Sequence, residues 1–393
     1  MRSVTDQQAF ANYQYEIYLA GANDRRPDLP HFAPGAWEQA FAETVTPEAH
    51  GYVAGAAGAE DTLRENLEAF RRWRIVPRML RDISVRDMRC ELFGTELHSP
   101  LLLAPVGVQS IVHPEAEVAV ARAAAATGVP MVLSTASSRS LEEVADASGG
   151  SPRWFQLYWP SDPDLAASLI GRAERAGFGA IVVTLDTWLL AWRPRDLELA
   201  YLPFLHGEGI ANYLTDPVFR GALESPPEED MFGAVRHFLA VFSDPSVTWA
   251  NLAFLREHTR LPIVLKGILH PDDARRAVDH GIDGILVSNH GGRQVDGAIG
   301  ALDALPAVVD AVPGSLPVLF DSGVRSAADA FVALALGARA VLLGRPYMWA
   351  LAVAGEAGVT ELLRGFLAEL DLTFALSGYT RLDQVGREAL LRV

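Results

Sequence analysis

Residues 261–293 read LPIVLKGILHPDDARRAVDHGIDGILVSNHGGR. Two short apolar runs, PIVLK (262–266) and GILVS (284–288), flank a polar-faced segment. That segment opens on Pro271 and two aspartates and stops at Gly281, the pattern of a single helix. Apolar runs of this length joined by one helix predict parallel strands buried on both faces. Both strands then end on one rim of one sheet and deliver Lys266, His290 and Arg293 to it. Lys266 is the only lysine in a chain with 33 Lys and Arg residues. A compact ammonium at a strand end, beside a His/Arg loop, points to a site that a planar guanidinium would not serve. Compositional drift is the alternative.

The same rhythm extends outward. LLLAP (101–105), MVLS (131–134), WFQLY (154–158), AIVVTLD (180–186), PIVLK, GILVS, PVLFD (317–321) and AVLLG (340–344) are candidate strands. Helical patterns lie between most of them, at 114–127, 164–176, 271–280 and 326–336. Eight β/α units over about 250 residues predict an α/β fold, the (β/α)₈ TIM barrel. A doubly wound sheet is the rival, weakened because no G-x-G-x-x-G follows the first strand. Residues 1–100 read as an N-terminal helical segment. It has helices over 7–20, over Thr46–Ala57 with Thr46 as N-cap and Pro47 behind it, and over Glu60–Trp73. Residues 24–37 are Pro-rich and expected on the surface. A single domain over 1–393 is expected, with the barrel at 101–370 and a C-terminal segment at 371–393. About 75 residues separate Asp186 from the strand at 262. A long insertion after strand 4 falls on the catalytic rim, so 187–250 is read as a lid, with an oligomer contact as the alternative.

Barrel chemistry sits at the strand C-termini. Those ends carry Pro105, Val106, Gly107, Ser134, Gln156, Tyr158, Thr184, Asp186, Lys266, Ser288, His290, Arg293, Asp321, Gly323, Arg325, Gly344 and Arg345. DSGVR and GR close the last two strands, where barrels bind phosphate through loop amides and arginines add charge-assisted bonds. His290 with Asp186 on another strand end suits a neutral-pH base with a carboxylate behind it. No His/Asp/Glu cluster has metal-ligand spacing. These residues describe a barrel enzyme with a phosphate-bearing ligand and an anionic substrate, and leave a flavin and a sugar phosphate equally open.

The formal charge of −16 argues against nucleic acid and anionic membrane surfaces. Cys90 is the only cysteine, so no intrachain disulfide forms. The first residues lack the apolar core of a signal peptide, and no apolar stretch is long enough to span a bilayer. The expected location is cytoplasmic.

At SNHGGRQ (288–294) the chain resembles the FMN-dependent 2-hydroxy acid oxidase family. YVAGAAGAEDTLRENLEAF (52–70), LLLAPVG, FQLYWP, VTLDT, VLKGI, LFDSGVR and GRPY carry the resemblance over nearly the whole length. Within it the nearest likeness is to the lactate 2-monooxygenase branch, on NYQYEIY, RMLRD, TLDTWLLAWRPRDL, NYLTDPVF, SVTW and KGILHPDDARRAVD. The resemblance implies FMN as cofactor, a small 2-hydroxy acid and O2 as reactants, and a homotetramer or larger homo-oligomer. It implies His290 as the base with Asp186 stabilising its protonated form, and Lys266 against the flavin. Arg293, Arg193 and Tyr52 would take the substrate carboxylate, with Tyr158 near the α-hydroxyl. Pro105, Val106, Gly107, Ser134, Gln156, Thr184, Ser288, Asp321, Gly323, Arg325, Gly344 and Arg345 would hold the cofactor. L-lactate with decarboxylation to acetate, CO2 and water is the implied reaction. Release of 2-keto acid and H2O2, with a larger acid as substrate, is the alternative. A dehydrogenase passing electrons to another acceptor and a non-catalytic phosphate-binding barrel also stay open. The loop 108–117 and Trp159 depart from the monooxygenase pattern, and Trp159 is expected to change the pocket; Gly107, where many oxidases of the family have alanine, is expected to leave space near the flavin.

Overall fold

The computed structural model describes residues 10–29, 33 and 35–393. Eight parallel strands close into a barrel. They are β1 (Leu101–Leu103), β2 (Met131–Ser134), β3 (Arg153–Leu157), β4 (Ile181–Thr184), β5 (Ile263–Lys266), β6 (Gly284–Val287), β7 (Val318–Phe320) and β8 (Ala340–Leu343). Neighbours in sequence are neighbours in space, and β8 closes onto β1 with Val341 opposite Leu101. All eight expected strands form. Apart from the half-buried Arg153 at the start of β3, each is buried along its length because it faces side chains inside the barrel and helices outside. Leu102, Val132, Trp154, Val182, Val264, Leu286, Leu319 and Leu342 fill the interior, so the barrel is a packed core with no pore.

The helices start where the sequence marks them. Thr46 Oγ1 accepts from Ala49 N (3.3 Å) ahead of Pro47–Ala54, and Asp162 caps Pro163–Arg175 through Asp164 N and Leu165 N. Helix Pro271–Asp279 is capped by His270, and Gly281 at φ +65° ends the turn that follows.

Three features were not legible. Residues 1–100 are not wholly helical. A hairpin, Cys90–Leu92 with Thr95–Leu97, plugs the barrel floor, and Phe93 at its turn packs on Trp154 at 5.4 Å. Trp73–Ile75 pairs antiparallel with Leu390–Arg392, tying the C-terminal strand to the segment ahead of the barrel. The helix Ala36–Thr44 begins inside the stretch read as irregular. The helix expected over 7–20 is observed as Asn12–Gly21, and residues 7–9 lie outside the described residues. The last helix, Arg345–Leu376, runs past residue 370 and kinks at Ala354 and Gly355. A Cβ on Gly355 would lie 2.8 Å from His113 Nε2. The 108–117 loop therefore directs its His113 into this kink, away from the barrel mouth.

The segment 187–250 is organised as short helices, among them Pro194–Glu198, Ala211–Leu214, Pro217–Gly221 and Met231–Val241. Phe204, Tyr213, Phe219, Phe238 and Phe242 pack into one aromatic cluster. Asn212, fully buried, donates to Thr135 O (3.1 Å) and Ser137 Oγ (2.8 Å) and accepts from Leu141 N (2.8 Å). These bonds pin the insertion to the β2 loop.

Candidate active site

A cavity of about 370 Å³ opens at the C-terminal rim of the barrel. That lies within the ~300–1,000 Å³ usual for ligand sites. One wall is polar and strand-borne, with Tyr158, Lys266, His290, Arg293, Asp321 and Arg325. The opposite wall is apolar and comes from the insertion, with Trp188, Leu189, Phe204, Phe238, Leu239 and Phe242.

His290 sits at φ +58° in a loop held by its neighbours. Its backbone N–H donates to Ser288 Oγ at 3.0 Å, and the Ser322 hydroxyl accepts from Asn289 N and Gly291 N. Its Nδ1 lies 2.8 Å from Asp186 Oδ1 and 3.1 Å from Thr187 Oγ1, and Thr187 Oγ1 donates to the same carboxylate oxygen at 2.9 Å. An ionised carboxylate only accepts, so Nδ1 carries the proton and Nε2 is left as the acceptor. Burial depresses the His290 pKa first, and Lys266 adds to this, against the opposing pull of Asp186. The imidazole is therefore neutral at rest. Burial alone would raise the Asp186 carboxyl, but Lys266 and His290 outweigh it and hold it well below the ordinary carboxylate range.

Lys266 is 3% exposed and faces two carboxylates. Its Nζ lies 3.7 Å from Asp186 Oδ2 and 4.0 Å from Asp321 Oδ2. Arg293 and Arg193 line the same cavity. Arg293 donates to the carbonyls of Tyr52 and Gly55 and lies 4.9 Å over the Tyr52 ring. Arg193 donates to Arg293 O (3.1 Å) and Gln294 Oε1 (2.8 Å). Burial, then Arg193, lowers the Arg293 pKa to about 10. Two adjacent guanidiniums, with Asp196 no closer than 3.9 Å to Arg193, leave a place for an anion of the substrate.

The residues expected to hold FMN fit that group. Among the described residues, the Arg325 side chain bonds only the Val324 carbonyl, lies 5.1 Å over the Trp349 ring and meets no carboxylate. Burial lowers its pKa, the mark of a cation that an anion would relieve. Gly323 at φ +94° brings the loop against Asn66, where a Cβ would lie 2.4 Å from the carbonyl. Gly344 N-caps the long last helix, whose amide end favours a phosphate. Arg345 is placed differently from a free phosphate ligand. Its side chain donates to Val53 O, Gly55 O and Gly291 O (2.9–3.0 Å), clamping the N-terminal segment to the barrel.

Pro105, Val106, Gly107, Ser134, Tyr158, Tyr52, Arg193, Asp321, Gly323, Gly344 and Arg345 all border the cavity. Gln156, Thr184 and Ser288 are fully buried immediately beneath it. Gln156 links Ser134 Oγ (3.0 Å) to Thr184 Oγ1 (2.9 Å). Two expectations are corrected. Trp159 is buried against Phe254 at 5.8 Å and does not border the cavity. Gly107 leaves no free space either, because a Cβ there would lie 2.5 Å from Ala136 O. Sequence reading missed Thr187 and Gln294. Gln294 holds Arg193 and donates to Asp186 O at 2.8 Å. Both stand inside the motifs VTLDT and SNHGGRQ, but a hydroxyl or amide in a motif carries no charge signal that singles it out.

Residues 42–392 match the family model described as FMN-dependent dehydrogenase. An FMN-dependent alpha-hydroxy acid dehydrogenase of Penicillium citrinum is 45% identical over 387 residues, covering 98% of this chain and 96% of that protein. An L-lactate oxidase of Lysinibacillus sphaericus is 45% identical, covering 90% and 91%. The crystal structure of mandelate oxidase is 40% identical with a TM-score of 0.81, covering 92% of this chain and 98% of its own.

Proposed function

The chain belongs to the FMN-dependent dehydrogenase family and is an FMN-dependent oxidoreductase of 2-hydroxy acids, and we propose that it oxidises its acid with O2 in a roofed cavity where decarboxylation follows. One arrangement carries this reading. A neutral imidazole with a free Nε2, backed by an ionised carboxylate, shares a cavity with a buried ammonium and two guanidiniums that bond carbonyl and amide oxygens but have no carboxylate closer than 3.9 Å among the described residues.

Arg293 and Arg193 bind the substrate carboxylate, and Tyr52 stacks under Arg293 and keeps it in place. Tyr158 holds the α-hydroxyl; burial raises its pKa, so it stays a neutral donor. His290 Nε2 takes the hydroxyl proton, and Asp186 stabilises the imidazolium that results. FMN, when bound, would supply the two-electron acceptor for the α-carbon and the route of those electrons to O2. Lys266 would hold it with positive charge from the barrel wall. The 2-hydroxy acid and O2 thus become the 2-keto acid and H2O2. If both remain in the cavity, peroxide attacks the keto carbon, CO2 leaves, and the shortened carboxylic acid and water remain. For L-lactate the sum is acetate, CO2 and water. The apolar wall from the insertion supports retention of both products.

A plain oxidase is the second reading. It is favoured by Leu189 and Leu190, which border the cavity and are 73% and 62% exposed, so the mouth meets solvent. His290→Ala tests the shared chemistry. A fall in kcat of about 10²–10⁴ is expected, with FMN still bound. Unchanged turnover would remove His290 from the reaction.

A further inference from the structure

We infer that Glu208 is a positioning residue that locks the insertion to the loop after β1, so that the apolar roof and the cofactor-facing wall move as one body. Two of the insertion's contacts with the rim lie close together in sequence. Asn212 fastens it to the β2 loop, as described above. Glu208, four residues earlier, reaches the β1 loop instead. Its carboxylate accepts from the Ser110 hydroxyl. Ser110 Oγ lies 2.7 Å from Ser138 Oγ, and Ser110 N–H donates to that same oxygen at 3.2 Å. A hydroxyl has one proton, so with Ser110 donating to Glu208, Ser138 donates to Ser110. Ser138 N–H in turn donates to Glu117 Oε1 at 3.0 Å, and Gln109 N–H reaches the same oxygen at 3.3 Å. One polar chain thus runs from the insertion, through both loops, to a fully buried carboxyl.

The backbone beside this chain is interlocked. Gly209, at φ +75°, lies so close to the β1 loop that a Cβ would stand 2.2 Å from Val108 Cγ1 and 3.0 Å from Ala136 O. Gly107 makes the matching approach to Ala136 from the other side, and Val108 N–H donates to Ala136 O at 2.9 Å. Residues 107–110, 136–138 and 208–209 therefore lie in close contact, and Glu208 is a charged group spanning from the insertion to the first of them. A shift of the roof pulls directly on Pro105–Gly107. The consequence for cofactor binding rests on the placement of FMN against Pro105–Gly107 given above.

The test is amide hydrogen exchange on the FMN-loaded enzyme, with the FMN dissociation constant measured in parallel. Glu208→Ala and Ser110→Ala should each speed exchange across 107–111 by about tenfold or more, the factor for losing one charge-assisted bond. Both should weaken FMN binding severalfold, while exchange in the barrel strands stays unchanged. Glu208→Gln, whose amide oxygen still accepts but without the charge, should fall between the parent protein and Glu208→Ala. Faster exchange confined to 203–210, with 107–111 unmoved, would overturn the proposal. Faster exchange at 107–111 with unchanged FMN affinity would uphold the coupling and sink the placement of FMN beside Pro105–Gly107.

Discussion

Single residues decide the protonation states on which the chemistry depends. His290 enters the folded state with its pKa below the ordinary histidine value, chiefly through burial. A base must be neutral, so kcat/KM should hold down to below pH 6.5 and fall only as His290 protonates. An acid limb at or above the free-histidine value would contradict this. Asp186 opposes the depression, so Asp186→Asn should move the limb to still lower pH while cutting kcat, because Nδ1 loses its orienting acceptor. Arg293→Lys keeps a charge but loses the planar fork, and KM should rise about tenfold to a hundredfold, read from steady-state kinetics. At Gly107 the added methyl of Gly107→Ala must displace Ala136 O, 2.5 Å away, and should cost about 1–3 kcal/mol in a thermal or urea melt. Lys266 and His290 were legible because charge at a strand end is rare and informative. Thr187, which bonds both Asp186 and His290, was not, since a threonine beside an aspartate is ordinary in sequence and exceptional only in three dimensions.

Elements show where local pattern sufficed and where it did not. All eight barrel strands were legible as apolar runs because burial on both faces removes polar residues from them. The Cys90–Leu92 and Thr95–Leu97 hairpin was hidden by its shortness, with three residues a side. The insertion gave its existence away by length, but its order comes from aromatic packing among Phe204, Tyr213 and Phe238, which no periodicity announces. Glu117, on the helix Ala116–Thr127, shows the cost of tying loops with a buried carboxyl. Burial pushes it up to about 7, and Oε2 has no partner. Its folded pKa lies above the unfolded value, so the folded state holds the proton more tightly. The full benefit is present below pH 4.5 and is lost as pH rises toward 7. Glu117→Gln should therefore raise the melting temperature at pH 8 more than at pH 5. An equal change at both would show that the carboxyl is not held in its raised state.

At the scale of the molecule, a net charge of −16 surrounds a cavity that takes an anion. The long-range field repels an anionic substrate, and in the proposed reading the local Arg193 and Arg293 capture it. Raising ionic strength over a moderate range should therefore speed capture by screening the repulsion, read as a rise in kcat/KM with salt; a fall would show that the local arginines dominate the approach. Among the described residues no helix is long and apolar enough to cross a membrane. The insertion gives the fold its second layer over the site, and shortening 187–250 should raise the share of oxygen released as H2O2 if retention governs the outcome. The most direct measurement is the product balance. FMN-loaded protein would be mixed with a 2-hydroxy acid, L-lactate first, in oxygenated buffer, and O2 uptake, CO2, carboxylic acid, keto acid and peroxide would be quantified together. The roofed cavity predicts one CO2 and one shortened acid per O2 consumed, with little free peroxide. Equal keto acid and peroxide without CO2 would contradict retention and leave a plain oxidase.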